Sequence, residues 1–294
     1  MLEKEKLQQA FSTWGFVERG RMNNQSYGDC PFCEKEGKFY INEKTALWDC
    51  KVCGISGNYL KFLEKVANRN AESITPEDLK ALSKERGLPL ASFKNQKIGL
   101  YNKHYTIPIY NELGKLQDLR RFILGKKLCA SIGCNTGLWG LNNLFKERNL
   151  EIPVYICEGE FDGIALNWLL RSLGKKGVVV AVPGANTFKR EWARFFDGRK
   201  VFICFDNDEA GDLGDLMVRQ KLEGSAKKIN HLHWPGGLPA GFDIRDLISK
   251  EAVKFKKPKK TYSALLDLFQ EFPRKKSDVI GVEAKPQREG DPEK

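Results

Sequence analysis

Two Cys-x-x-Cys pairs, Cys30 with Cys33 and Cys50 with Cys53, stand sixteen residues apart and restrict the fold more than any other feature of the chain. Each pair bends the backbone into a knuckle on which two sulfurs converge, and two knuckles at this spacing can set four thiolates around one tetrahedral Zn2+. Between them Lys38-Phe39-Tyr40-Ile41 and Ala46-Leu47-Trp48 alternate as hairpin strands do, which brings the knuckles together. A closed four-thiolate shell leaves no position for water, so the single zinc is structural. A redox dithiol is the competing reading of one such pair, and two pairs at ribbon spacing favour metal. Cys157 and Cys204 lie in apolar strand patterns and read as small core residues. Cys129 and Cys134 have a poor metal spacing and no histidine nearby.

The rest of the chain divides by its periodicity. Residues 1–67 form a small zinc-binding unit with an amphipathic helix around Leu2 to Phe11 and an apolar helical pattern from Tyr59 to Val66. The polar residues 68–75 read as a linker, because Thr75-Pro76-Glu77-Asp78 then supplies an N-cap, a proline at the first helical position and acids in the first turn. Residues 76–152 are basic and β-rich, with a strand, a turn at Asn111 to Gly114 and a second strand. Residues 153–250 carry four short apolar runs, Val154–Cys157, Val178–Val182, Val201–Phe205 and Ile229–Leu232, separated by helical stretches. That rhythm predicts a mostly parallel sheet flanked by helices. Residues 251–294 form a basic extension, disordered in part, that encloses one apolar helical stretch from Tyr262 to Phe272. The fold class expected is α/β, or α+β with the ribbon and the basic subdomain included.

Carboxylates gather where the apolar runs end. Glu158-Gly159-Glu160-Phe161-Asp162 follows the first, Asp206-Asn207-Asp208 the third, and Asp243-Ile244-Arg245-Asp246 comes after the fourth. Parallel sheets bind ligands at the carboxyl ends of their strands. Acids converging there repel one another unless cations neutralise them, and hard oxygen ligands select Mg2+ or Mn2+. Any one of these acids could instead be an ordinary helix cap, as Asp162 or Asp208 reads when taken alone; three clusters together favour a metal site.

The segment from about Pro153 to Ile248 resembles the TOPRIM domain of primases, topoisomerases and some nucleases. The resemblance implies a general acid or base at Glu158, metal-binding aspartates at Asp206 and Asp208, a third acidic position at Asp243, and Asp162 close to the site. Arg245 stands where bacterial-type primases usually carry another acid, with Asp246 as the candidate substitute. Ahead of this segment Ile107 to Lys115, then Arg120-Arg121, Lys126-Lys127 and Gly137-Leu138-Trp139-Gly140-Leu141 resemble the basic polymerase subdomain of bacterial-type (DnaG-like) and phage-type primases. Cys30-Pro31-Phe32-Cys33 through Gly57-Asn58 resembles the primase zinc domain, with Cys33 where histidine is frequent. Three modules stand in primase order.

This family implies a DNA primase, an enzyme that makes short RNA primers on single-stranded DNA template from nucleoside triphosphates by two-metal nucleotidyl transfer. Arg120, Arg121, Lys126 and Lys127 would hold nucleotide or template phosphate; a solvated hairpin face is the competing reading of each. Trp48, with Tyr40 or Phe39, could stack on template bases, against packing inside the ribbon. His231 and His233 share a strand face and could touch phosphate or metal, against ordinary surface histidines. Lys and Arg total 49 against 38 acids, a net charge of +11 that suits a polyanionic partner. No run of about 18 apolar residues occurs, so no membrane span is expected and the expected location is cytoplasmic, at a nucleoid or replication fork. Without a GxxxxGK[ST] loop, a replicative helicase is expected as a separate partner, and the basic tail could bind DNA or dock that helicase through Tyr262 to Phe272, against a solvated charged face. The competing functions are a catalytically weakened zinc-ribbon adaptor and a TOPRIM nuclease.

Overall fold

The computed structural model describes residues 4–248 and 258–271. Helix α1 (Lys4–Ser12) leads into a five-stranded antiparallel sheet of β1 (Val17–Met22), β2 (Gln25–Asp29), β3 (Phe39–Asn42), β4 (Trp48–Cys50) and β5 (Ser56–Gly57), paired in sequence order. Both knuckles are built alike: Glu34 N–H donates to Cys30 O and Gly54 N–H to Cys50 O, with Glu34 and Gly54 in the left-handed region. The sulfurs meet in the middle, Cys30 with Cys53 at 3.9 Å and Cys33 with Cys50 at 3.7 Å. Under this sheet lies α2 (Tyr59–Ser73), capped by Asn58, whose side chain accepts from Lys61 N–H. Its buried residues Tyr59, Phe62, Leu63, Val66, Ala67 and Asn70 fall on one stripe of a 3.6-residue period.

Here the structure corrects the sequence reading. Residues 68–75 do not form a linker; α2 runs through them to Ser73, because Asn70 is buried against the next sheet and holds the last turns in place. The chain breaks only at Ile74, before the capping box in which Thr75 Oγ1 and the Asp78 carboxylate exchange hydrogen bonds with each other's backbone N–H. That box starts α3 (Pro76–Arg86), which Gly87 ends at φ 62°.

A three-stranded antiparallel sheet, β6 (Gly99–Tyr101), β7 (His104–Tyr110) and β8 (Leu116–Phe122), has the ribbon on one side and the last domain on the other. Leu116 and Leu119 of β8 are buried with α1, α2 and the ribbon aromatics. Tyr105, Ile107, Ile109 and Phe122 point the other way, into the core of the next domain. The approach of α2 is close enough that a side chain at Gly99 would collide with the backbone of Asn70 and Ala71.

After α4 (Leu141–Lys146) the strands β9 (Val154–Cys157), β10 (Val178–Ala181), β11 (Lys200–Cys204) and β12 (Lys228–Leu232) form a sheet in the order β10-β9-β11-β12, all parallel. Alternation sorts its core: Tyr155, Cys157, Val179 and Ala181 face one layer, Val154, Ile156, Val178 and Val180 the other. Cys157 and Cys204 are register partners buried in the sheet. Helices α5 (Glu160–Ser172) and α6 (Glu209–Leu222) follow β9 and β11.

The basic extension departs from expectation. Helix α7 (Pro258–Asp267) packs on α5 with Leu265 buried, and β13 (Phe269–Glu271) adds antiparallel to β12. Phe269 sets its ring against Tyr155 and Phe202. Part of the stretch read as a helicase dock is thus taken up within this chain, with Leu265 buried and Phe269 set on the sheet while Leu266 stays exposed. The disorder expected at the polar end of the extension falls on residues that lie outside the described ones. Among the described residues, no helix is long and apolar enough to cross a membrane.

Candidate functional site

Three loops at the carboxyl ends of β9, β11 and β12 bring the acids together. The first turns at Gly159, so that Glu160 and Asp162 open α5. The second carries Asp206, Asn207 and Asp208 into α6. The third is tied to the second by backbone bonds, Asn207 N–H to Phe242 O and Gly241 N–H to Asn207 O, and by Trp234, whose indole N–H donates to Phe205 O at 2.8 Å. These ties place Asp243 beside Asp206. One carboxylate oxygen from each of Asp162, Asp206 and Asp243 lies within 4.8 Å of the others. Such a set of hard oxygens fits Mg2+.

The remaining candidates are sorted by their partners. Glu158 accepts the Asp206 N–H at 3.2 Å, so it stands at the rim of the triad. Asp208 turns its carboxylate to the Gly211 N–H at 2.8 Å and caps α6. Asp246 lies one turn along, its N–H donating to Asp243 Oδ1 at 2.8 Å. Asp162, which the sequence placed only near the site, is a member of the triad, while Asp208 is outside it. Asp162 looked like a helix-start acid in the sequence, and no local signal separates that role from this one.

Electrostatics follow from burial. Burial first, then Asp162, Glu158 and Asp243, pushes the Asp206 carboxyl up to about 9. Burial pushes Asp162 up to about 7 against the pull of Arg245, and Glu158 is raised chiefly by burial as well. Arg245 lies within the cluster: its Nε donates to Asp162 Oδ1 at 2.9 Å and its Nη2 to Asp243 Oδ2. Arg86 from α3 lies behind it, its guanidinium held between the rings of Phe122 and Phe161 at 4.6 and 4.3 Å. The sequence marked Arg245 only as a departure from an acid, and nothing in it singled out Arg86.

The basic subdomain needs one correction. Arg120 is buried and its Nε lies 3.2 Å from the carboxylate of Glu160, also buried. Its side of β8 faces inward, which gives it a structural partner and takes it away from phosphate. Arg121, on the opposite side, is half-buried, and its backbone pairs with Cys129 to close the loop that exposes Lys126 and Lys127. Trp48 is corrected too: it is 2% exposed, stacked on Phe39 at 5.3 Å, and its indole N–H is bonded to Asn58 O. It is part of the ribbon core and offers no face to a template base, and Phe39 is buried with it. Tyr40 is half-buried, with Lys51 over its ring. Beside Asp206 opens a cleft of about 280 Å³ whose lining includes Asp215, His231, His233 and Trp234. His231 Nδ1 is 3.3 Å from Asp215 Oδ2.

Comparison with known proteins agrees with this architecture. Residues 155–248 match the Toprim-like family model. The chain is 28% identical over 101 residues to a DNA primase of Thermotoga maritima, covering 34% of this chain and 17% of that protein. It is 30% identical over 154 residues to an uncharacterised protein of Mycoplasma genitalium, covering 47% and 66%. The matches thus span less than two thirds of either relative. The DnaG catalytic core superposes with a TM-score of 0.55 at 16% identity, over 72% of this chain and 80% of that one. At that identity the likeness is one of fold: a Toprim-like domain set in a DnaG-type primase architecture, with a four-cysteine cluster that fits zinc.

Proposed function

We propose that this chain is a DNA primase, synthesising short RNA primers on single-stranded DNA from nucleoside triphosphates. The observation that carries the reading is the carboxylate triad at the carboxyl edge of a Toprim-like sheet, in one chain with a basic hairpin and a four-thiolate ribbon. Asp206, with Asp162 and Asp243 beside it, would hold the divalent ion, and that ion would supply Lewis-acid polarisation of phosphate oxygens and of an attacking 3′-hydroxyl. Glu158, its proton affinity raised by burial, accepts the proton as the hydroxyl attacks the α-phosphate and pyrophosphate leaves. Arg121, Lys126 and Lys127 contact template or nucleotide phosphate, and the cleft beside Asp206 receives the triphosphate. One structural Zn2+ fixes the ribbon, which contacts the template. A separate helicase is the expected partner.

The test is incorporation of labelled ribonucleotides on single-stranded DNA with Mg2+ or Mn2+. Asp206→Ala should lose synthesis by at least about 100-fold while keeping its fold and DNA binding; retained synthesis rejects the assignment. The adaptor reading is favoured by one observation, the guanidinium already bonded to two of the three aspartates. It requires DNA binding without synthesis under either metal.

A further inference from the structure

Asp162 and Asp243 already have a cation between them. Arg245 donates to an oxygen of each, and the second oxygen of Asp243 accepts the Asp246 N–H. Among the described residues, the Asp206 carboxylate makes no hydrogen bond and no direct ion pair, and the Arg245 charge acts on it only from a distance. The cluster therefore has one aspartate open to an ion and two committed to a guanidinium.

Arg245 is well placed to keep that position. Its charge is permanent, and its planar fork suits two carboxylate oxygens at once. The side chains of Asp162 and Asp243 are 8% and 5% exposed, so an ion that displaced the guanidinium would have to send it out to solvent. A move inward is blocked by Arg86, a like charge wedged between Phe122 and Phe161.

We propose that the Arg245 guanidinium takes the place of one of two divalent ions, so that the cluster holds a single Mg2+ or Mn2+, at Asp206. The inference rests on the metal-dependent reading above. In it Arg245 is a positioning residue: it neutralises Asp162 and Asp243 and holds them in place beside the single ion.

Counting ions tests this without any turnover. Mn2+ is titrated into the zinc-loaded full chain, with free Mn2+ read by electron paramagnetic resonance. Wild type should bind one ion, and Arg245→Asp, which restores a carboxylate and removes the guanidinium, should bind two. Arg245→Gln serves as a second variant: it leaves both aspartates without a cation and should also take up a second ion. Circular dichroism checks that each variant is folded. Two ions in wild type, or one ion in folded variants, overturn the single-ion inference and leave the metal-dependent reading standing. No ion in any of the proteins overturns both.

Discussion

At the scale of single residues, function here depends on which polar groups have partners. Asp206 is the clearest case, because burial and its acidic neighbours push its carboxyl from an ordinary 3.8 up to about 9. Between these values the unfolded chain has released a proton that the folded chain keeps. Without Mg2+, the zinc-loaded protein should therefore lose stability as pH rises from about 4 to about 9. Urea unfolding across that range checks the slope, and saturating Mg2+ should flatten it. At neutral pH Asp206→Asn removes a carboxyl that must take up a proton to fold without metal, and each kcal/mol of relief should raise the metal-free Tm by about 2–4 °C. Arg120 is the opposite case, a paired charge. Arg120→Ala leaves Glu160 buried alone and should cost about 3–5 kcal/mol in urea unfolding, with nucleotide KM unchanged in the folded fraction. The sequence made the three acidic clusters legible because each follows an apolar strand. It could not show that Arg120 faces inward, since Arg120 and Arg121 read alike until the strand's register is known.

Elements were easier to read than their ends. The four parallel strands and the Thr75 cap carry local signals: apolar runs of strand length, and an N-cap followed by proline and acids. The end of α2 carries none, because Asn70 is helical for a tertiary reason, burial against β6. The same holds for the extension. The apolar residues of this stretch predicted a helix with a partner, and Leu265 finds buried surface against α5 of the same chain. Leu265→Ala should accordingly destabilise the protein by about 2–5 kcal/mol in a chemical denaturation series. An unchanged midpoint would mean that α7 does not pack on α5 in solution.

In the whole molecule the ribbon and the sheet share a wall. Leu119 of β8 is buried among ribbon aromatics while its neighbour Phe122 sits in the core next to Phe161. Loss of zinc should therefore be felt beyond the cysteines. Hydrogen exchange on Cys50→Ser should show faster exchange in α2 and β8, with β9 and β11 unchanged; uniform protection throughout would show that the ribbon folds independently of its metal. Module order was legible from motifs spaced along the chain, but the docking was not, because the surfaces that meet are far apart in sequence.

The strand β13 has a consequence for how this molecule meets others. A parallel sheet that ended at β12 would present a row of unpaired amides, an invitation for a neighbouring chain to extend it. Here Phe269–Glu271 covers β12 and leaves an edge only three residues long, and the hydrogen bonds exchanged by Trp139 and Ala181 cover the tip of β10 on the other side. At high local concentration, copies of this protein are less prone to zip into a continuous sheet and to the aggregation that follows from it.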